Sequence, residues 1–319
     1  MVILGIETSC DETAAAVVED GKNVLSEAIA SSANLHTKTG GIIPENAARE
    51  QIKSMIPVIN EALSFIHNPS SIDAVAVTIG PGLIGSLLVG VETAKTLGFL
   101  WEKPIIPVNH LVAHLYANWI EDDPQFPAVG LVVSGGHTDL VYIKDHGEIK
   151  WLGGTMDDAA GECFDKCARL LGLPYPGGPA IEREAAKFKI KNNKLMTYPR
   201  PMINQDNFDF SFSGLKTAVQ NNLKIKHPAA EVQEAIVDAL VVKSLKAIEK
   251  YKPKSFIVSG GVAANARLRE KLQIKIKNLY IPKPKYCTDN AVMVATAGYY
   301  INKPTHWSKI TADPNLFLK

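Results

Sequence analysis

What this sequence lacks narrows its role before any motif is read. It holds four cysteines, Cys10, Cys163, Cys167 and Cys287. They show none of the even, close spacing of a secreted disulfide framework, so reduced thiols in a cytoplasm fit best. No apolar run is long enough to span a bilayer, and no membrane partner is expected. The first residues read as a strand, without the charged and apolar regions of a leader. An excess of one charge is missing too: 34 Lys and Arg against 33 Asp and Glu leave a net +1. A uniformly basic nucleic-acid binder carries far more, so any nucleic acid must meet a local patch or a partner protein. No glycine loop is followed by Gly-Lys-Ser/Thr, and the dinucleotide fingerprint is absent. No long low-complexity segment is present.

What is there is an ordinary globular composition, 46% hydrophobic and 21% charged over 319 residues. That length predicts about two domains. Strands are expected at Val2–Glu7, Ala14–Glu19 and Val24–Ala30, joined by tight turns as a meander. A helix follows over about Glu45–Phe65, then a buried strand Ala74–Ile79, the loop Gly80-Pro-Gly-Leu-Ile-Gly85 and a helix over about Ser86–Leu100. The same grammar returns. Ala128–Ser134 turns at Gly135–Thr138 into Leu140–Ile143, and Ser255–Ser259 meets Gly260-Gly261 and a helix from about Ala263. Two related lobes with a cleft between them would explain the repetition. The expected division puts 1–122 in the first lobe, completed by a C-terminal helix at about 290–319, and 123–289 in the second. The acidic, proline-bearing stretch Glu121–Pro127 marks the boundary. Lys187–Pro201 reads as an exposed basic insertion.

His110 and His114 are four residues apart, on one face of a helix if the segment is helical, where they can share a metal. Zinc proteases carry glutamate directly after the first such histidine; here that place is Leu111. A third ligand is needed. Asp289, in Cys287-Thr-Asp-Asn290, is one candidate, although Asp289 or Thr288 could equally cap the helix that follows. Twenty residues on from His114, Ser134-Gly-Gly-His-Thr138 forms a turn whose backbone N–H groups can approach a phosphate. Thr8–Thr13 is a polar turn carrying Asp11 and Glu12, which suit a cation, a proton transfer or an ordinary β-turn. Cys163 and Cys167 read as small buried apolar residues. The acids Asp157, Asp158, Glu162 and Asp165 crowd the first turns of a helix, where the dipole favours them. Basic residues gather at Arg183–Arg200 and Arg267–Lys285 and would attract a phosphodiester backbone if both lay on one side.

Taken in order, these blocks resemble one family along essentially the whole chain. They are Gly5-Ile-Glu-Thr-Ser-Cys-Asp-Glu-Thr13, Gly80-Pro-Gly-Leu-Ile-Gly-Ser86, Asn109-His-Leu-Val-Ala-His114 and Val133-Ser-Gly-Gly-His-Thr138. They continue with Asp157-Asp-Ala-Ala-Gly-Glu-Cys-Phe-Asp165, Tyr175-Pro-Gly-Gly-Pro179, Phe210-Ser-Phe-Ser-Gly-Leu-Lys216, Ser259-Gly-Gly-Val-Ala-Ala-Asn265 and Cys287-Thr-Asp-Asn290. The chain resembles the TsaD family, the tRNA N6-adenosine threonylcarbamoyltransferases, and its acidic Asp157–Asp165 block is closer to the bacterial branch than to the relatives in the KEOPS complex.

The resemblance implies an α/β actin-like/Hsp70-like (ASKHA) fold, two related lobes around a nucleotide cleft. It implies one divalent metal, Fe2+ favoured and Zn2+ the alternative, held by His110, His114 and Asp289. Asp289 would then reach two imidazoles of the first half from the second. It implies substrate contacts at Val133, Ser134, Gly135, Gly136, His137, Asp165, Gly178, Glu182 and Asn265, with Asp11 and Glu12 as the catalytic carboxylates. Many members carry aspartate where Glu182 stands. The implied reaction moves a threonylcarbamoyl group from threonylcarbamoyl-adenylate to the N6 amine of the adenosine next to the anticodon in tRNAs reading ANN codons, releasing AMP. The implied partners are TsaB-like and TsaE-like proteins, with a TsaC-type enzyme supplying the adenylate. The TsaB-like protein would dock on the first-lobe helices around Glu45–Phe65 and Ser86–Leu100. Rival readings are an ATP-driven actin-fold kinase or switch, which needs no metal triad, a metallopeptidase, which Leu111 disfavours, and a scaffold without chemistry.

Overall fold

The structure is a computed structural model that describes residues 1–32, 41–64, 66, 69–188 and 197–318. Phe65 of the expected first helix and residues 189–196 of the expected basic insertion lie outside the described residues. The chain divides into two units, one formed by Met1–Asp123 with Thr288–Lys319, the other by Pro124–Cys287.

The first unit opens with the meander β1 (Val2–Glu7), β2 (Glu12–Glu19) and β3 (Asn23–Ser31). Helix α1 (Pro44–Leu63), strand β4 (Ala74–Gly80), helix α2 (Ile84–Leu100), strand β5 (Ile105–Asn109) and the short helix α3 (His110–Tyr116) follow. The sheet order is β3-β2-β1-β4-β5, antiparallel from β3 to β1 and parallel from β1 to β5. Central β1 and β4 are buried nearly throughout, as strands covered on both faces must be, whereas edge strand β3 is mostly exposed or half-buried.

The second unit repeats the scheme. Strands β6 (Ala128–Val133), β7 (Thr138–Asp145) and β8 (Glu148–Gly154) form the meander, followed by helices α4 (Ala160–Leu170), α5 (Gly177–Ala186), α6 (Ser213–Asn221) and α7 (Pro228–Tyr251). Strand β9 (Ser255–Ser259), helix α8 (Ala266–Lys275) and strand β10 (Leu279–Tyr280) complete it. The order β8-β7-β6-β9-β10, with the same switch from antiparallel to parallel at the central strand, matches the first sheet. The expected recurrence of strand–turn–strand and strand–loop–helix is therefore present in both units. Each unit has its own core. Leu4, Ile6, Val17, Val75 and Val77 belong to the first, and Val129, Leu131, Phe164, Phe210 and Phe256 to the second.

The chain then returns to the first unit with α9 (Ala291–Ile301). This helix carries three Ala and one Gly and packs against β1 and β4. Gly5 makes that approach feasible, since a Cβ there would run into the Ala291 carbonyl oxygen and lie 2.9 Å from the Ala295 nitrogen. A glycine on the central strand thus seats the start of α9, and with it Asp289 just upstream, against the sheet.

One expected element is different. The helix predicted from Ala263 is a 3-10 turn over Gly261–Ala264, and α8 begins at Ala266. Asn265 separates them in an extended conformation, and its side chain accepts from the Leu268 N–H at 3.0 Å. An asparagine that satisfies a free N–H at the start of a helix favours a boundary there over continuation.

Candidate metal centre and glycine turn

The metal candidate is built on two helix starts and a strand end. Asn109 caps α3, its Oδ1 accepting from Leu111 N–H at 2.9 Å and Val112 N–H at 3.1 Å, while its Nδ2 donates to the Leu316 carbonyl at 2.6 Å. His110 and His114 follow one helical turn apart with ring centroids 4.6 Å apart. Asn290 caps α9 by accepting from Met293 N–H at 2.9 Å. The cap expected at Asp289 or Thr288 is thus Asn290, and the Asp289 carboxylate faces the imidazoles. His114 Nε2 lies 3.1 Å and His110 Nε2 3.6 Å from Asp289 Oδ1. The three candidate ligand atoms all lie within 4.8 Å of one another. All three residues fall in the first unit, so the ligand set comes from one unit rather than two.

The surroundings fit a cation. Glu7, fully buried at the end of β1, places Oε2 3.1 Å from His110 Nδ1. Burial pushes the Glu7 carboxyl up, but the paired imidazole outweighs it and the net shift is downward. Burial likewise pushes His110 down, and Glu7 with Asp289 reverse this, raising it to about 9. Glu12 is pushed up to about 10 by burial, by Asp289 and by Asp11. Burial and the neighbouring acids Asp289 and Asp11 disfavour a further negative charge at Glu12, which answers by holding a proton. A divalent ion would supply positive charge. The His114 Nδ1 atom is buried without a hydrogen-bond partner. The turn that carries Asp11 and Glu12 is fixed from behind by buried Gln51, whose Nε2 lies within 3.3 Å of the carbonyls of Thr8, Cys10 and Glu12. Gln51 and Glu7 were not anticipated from the sequence. An acid inside an otherwise apolar strand was the available signal for Glu7.

In the second unit the turn after β6 is closed by Ser134 N–H donating to the His137 carbonyl at 2.8 Å and by His137 N–H donating to Ser134 Oγ at 3.2 Å. Gly135 and Gly136 are exposed, a Cβ on either would meet nothing within 4 Å, and their N–H groups have no hydrogen-bond partner among the described residues. Gly161 at the start of α4 closes on this turn, donating to the Ser134 carbonyl at 3.1 Å. Val133, at the end of β6, is crowded by Gly260.

The other expected substrate contacts are engaged in capping. Asp165 Oδ1 accepts from Gly177 N–H at 2.7 Å at the start of α5, next to Gly178. Glu182 Oε1 accepts from Ala266 N–H at 2.7 Å at the start of α8. Asn265 also donates to Gln233 Oε1 at 3.0 Å, and Gln233 lines a cavity of about 540 Å³ together with Glu182, Ala266 and Arg267. Gln233 was not anticipated; it lies mid-helix in α7 with no local motif. Cys163 and Cys167 are buried with sulfurs 3.9 Å apart, and all four cysteines are free.

A sheet that switches from antiparallel to parallel at its central strand, repeated in two units, with a His-His-Asp cluster in one and a glycine turn in the other, defines an α/β protein of the actin-like ASKHA fold. HypF from T. kodakarensis matches 94% of this chain and 47% of its own with a TM-score of 0.59 and 14% identity. Component A of the (R)-2-hydroxyglutaryl-CoA dehydratase from Acidaminococcus fermentans matches 94% and 98% with a TM-score of 0.55 and 15% identity. Sequence comparison is more specific. The family model "TsaD: tRNA N6-adenosine threonylcarbamoyltransferase" matches residues 23–296. The tRNA N6-adenosine threonylcarbamoyltransferase of Thermomicrobium roseum is 48% identical, covering 94% of this chain and 92% of that protein. That of Geobacillus thermodenitrificans is 48% identical, covering 98% and 96%. The chain belongs to the TsaD family.

Proposed function

We propose that this chain forms threonylcarbamoyl-adenosine in tRNA, taking the acyl group from threonylcarbamoyl-adenylate and releasing AMP. The acceptor is the N6 amine of the adenosine 3′-adjacent to the anticodon in tRNAs reading ANN codons. The observation that carries the reading is the convergence of His110, His114 and Asp289 in a chain of this family. Two histidines and a carboxylate suit one Fe2+ ion first and Zn2+ second. Bound there, a divalent ion supplies positive charge for oxygen atoms of the threonylcarbamoyl group.

The remaining work belongs to the protein. The free amides of Gly135 and Gly136 take a phosphate oxygen of the adenylate. Asn265, Gln233 and Glu182 frame the nucleoside; Glu182 caps the Ala266 amide through Oε1 and offers Oε2 to a ribose hydroxyl. The amine nitrogen bonds to the carbamoyl carbon, the bond from that carbon to the phosphate oxygen breaks, and AMP leaves with the electron pair. A carboxylate of the Asp11–Glu12 pair takes the amine proton. AMP is a good leaving group, so positioning and charge stabilisation account for most of the rate.

The near-neutral chain calls for partners. Ile52 and Ile56 on α1 and Ile84 and Leu88 on α2 are exposed on two helices that pack together. They form an apolar face for the helices of a TsaB-like protein, with a TsaE-like protein and a TsaC-type enzyme completing the system in the cytoplasm. No described helix is long and apolar enough to cross a membrane. A reconstituted assay with adenylate, unmodified tRNA and these partners tests the reading. Modified nucleoside should form with Fe2+ or Zn2+, and not after chelation or with Ile56→Glu. Turnover that survives complete removal of metal would refute the metal assignment.

A further inference from the structure

We propose that Glu7 is a positioning residue that sets the tautomer of His110, so that Nε2 is the nitrogen presented to a cation beside His114 and Asp289. The inference rests on the metal reading above. Glu7 is fully buried and both of its oxygens are engaged. Oε1 accepts from the Ser9 N–H at 2.6 Å, and Oε2 accepts from the Thr78 hydroxyl at 2.6 Å. Thr78 lies on β4, the parallel neighbour of β1, so the carboxylate is locked to the sheet rather than free to turn. His110 Nδ1 sits 3.1 Å from that same Oε2 and 3.1 Å from Ser9 Oγ. A hydroxyl could donate to Nδ1 or accept from it; a carboxylate oxygen can only accept. Glu7 therefore holds a ring proton on Nδ1, so that Nε2 is the nitrogen that gives up its proton to a cation beside Asp289. His114 has no such support, since its Nδ1 has no partner. The two imidazoles are held unequally, and the ordering force acts on His110.

Glutamine at position 7 would reverse this logic. Its oxygen must face the Ser9 N–H, because two donors cannot meet there. Its NH2 then lies against His110 Nδ1 and donates to it. The ring proton moves to Nε2, which cannot ligate while protonated.

The test uses the full chain with Zn2+ alone, read by competition with a chelating dye, and the 15N shifts of the imidazole nitrogens. Glu7→Gln should bind Zn2+ about 10- to 100-fold more weakly. Ser9→Ala, which keeps the backbone donor to Glu7, should stay within about threefold of wild type. In wild type, His110 should be protonated at Nδ1 and bound through Nε2; in Glu7→Gln without metal, the proton should sit on Nε2. Equal Zn2+ affinity in wild type and Glu7→Gln would overturn the inference alone. A wild-type chain that takes up no Zn2+ would overturn the metal reading and this inference with it. Should Glu7→Gln fail to fold, the wild-type shifts decide, since ligation through Nδ1 contradicts the proposal.

Discussion

The turn between β1 and β2 and the turn between β6 and β7 occupy the same place in two sheets of the same order. In the first unit that place carries Cys10, Asp11 and Glu12, backed by Gln51, while Glu7 at the end of β1 and Asp289 lie beside two imidazoles. In the second it carries Gly135 and Gly136, whose amides are open. One topological position presents acidic side chains in the first unit and open backbone amides in the second. The second unit is not short of acids. Asp157, Asp165 and Glu182 are all present, but each accepts from backbone N–H groups at the start of a helix. Glu7 and Asp289 of the first unit converge on histidine, whereas Asp157, Asp165 and Glu182 of the second act as caps.

On this contrast, removing a first-unit side chain should have the largest effect. His114→Ala removes the ligand atom 3.1 Å from Asp289 and should abolish stoichiometric metal binding. Transfer should fall by about 100-fold or more, the scale on which a charge-stabilising group is lost from a reacting centre. Metal analysis of the purified chain and single-turnover transfer measure the two separately. Retention of one tightly bound metal in this variant would break the comparison, because the first turn would no longer need its imidazoles.

Two glycines of the second unit sharpen the contrast at the next level. Gly260 has φ +91°, and a Cβ there would strike the Val133 carbonyl. Gly260→Ala should cost about 1–3 kcal/mol in backbone strain, with further loss from the contact, and denaturant unfolding will show it. Gly136→Ala adds a Cβ that meets nothing, so stability should stay within about 0.5 kcal/mol. With the open amides serving the adenylate phosphate, the added Cβ keeps the phosphate from close approach, and KM for the adenylate should rise about tenfold, the order of one weakened hydrogen bond to a charged group. Unchanged KM with unchanged stability would reduce the turn to an ordinary hairpin.

Much of this architecture was legible in the sequence because it is written in local periodicity. Apolar runs of five to eight residues ended by glycine gave the central strands, and the i, i+4 histidines gave the metal candidate. What escaped depends on partners far apart in the chain. Asn265 reads as one more residue of a helix until its side chain is seen to accept from Leu268 and donate to Gln233. Thr288, Asp289 and Asn290 are equally plausible caps by residue type, and only the chain direction into α9 selects Asn290 and frees Asp289. Asp165 reads along the chain as an acid favoured by a helix dipole, and it and Glu182 become ligand contacts only through the family resemblance. Their caps on α5 and α8 are visible only in three dimensions. Glu7 could be flagged as an acid in a buried strand, but its purpose needed Thr78 and His110, 71 and 103 residues away.

The smallest expected effect tests the capping half of the contrast. Asp157 accepts from the backbone N–H groups of Phe212 at 2.7 Å and Ser213 at 3.2 Å, and from the hydroxyls of Ser211 and Ser213 at 2.6 Å each. It caps α6 from outside the helix. Burial pushes its carboxyl up, but these donors outweigh burial and hold it below the usual carboxylate range. A depressed folded-state value gives stability that is complete above the unfolded value of about 3.9 and is lost as pH falls through the lower folded value. Asp157→Ala should therefore cost about 1–2 kcal/mol at neutral pH, and the gap to wild type should close as the pH drops below about 4. Metal content and transfer rate per folded molecule should be unchanged. A loss of transfer without a loss of stability would mean that this acid, too, works beside the substrate, and the division between gathering and capping carboxylates would not hold.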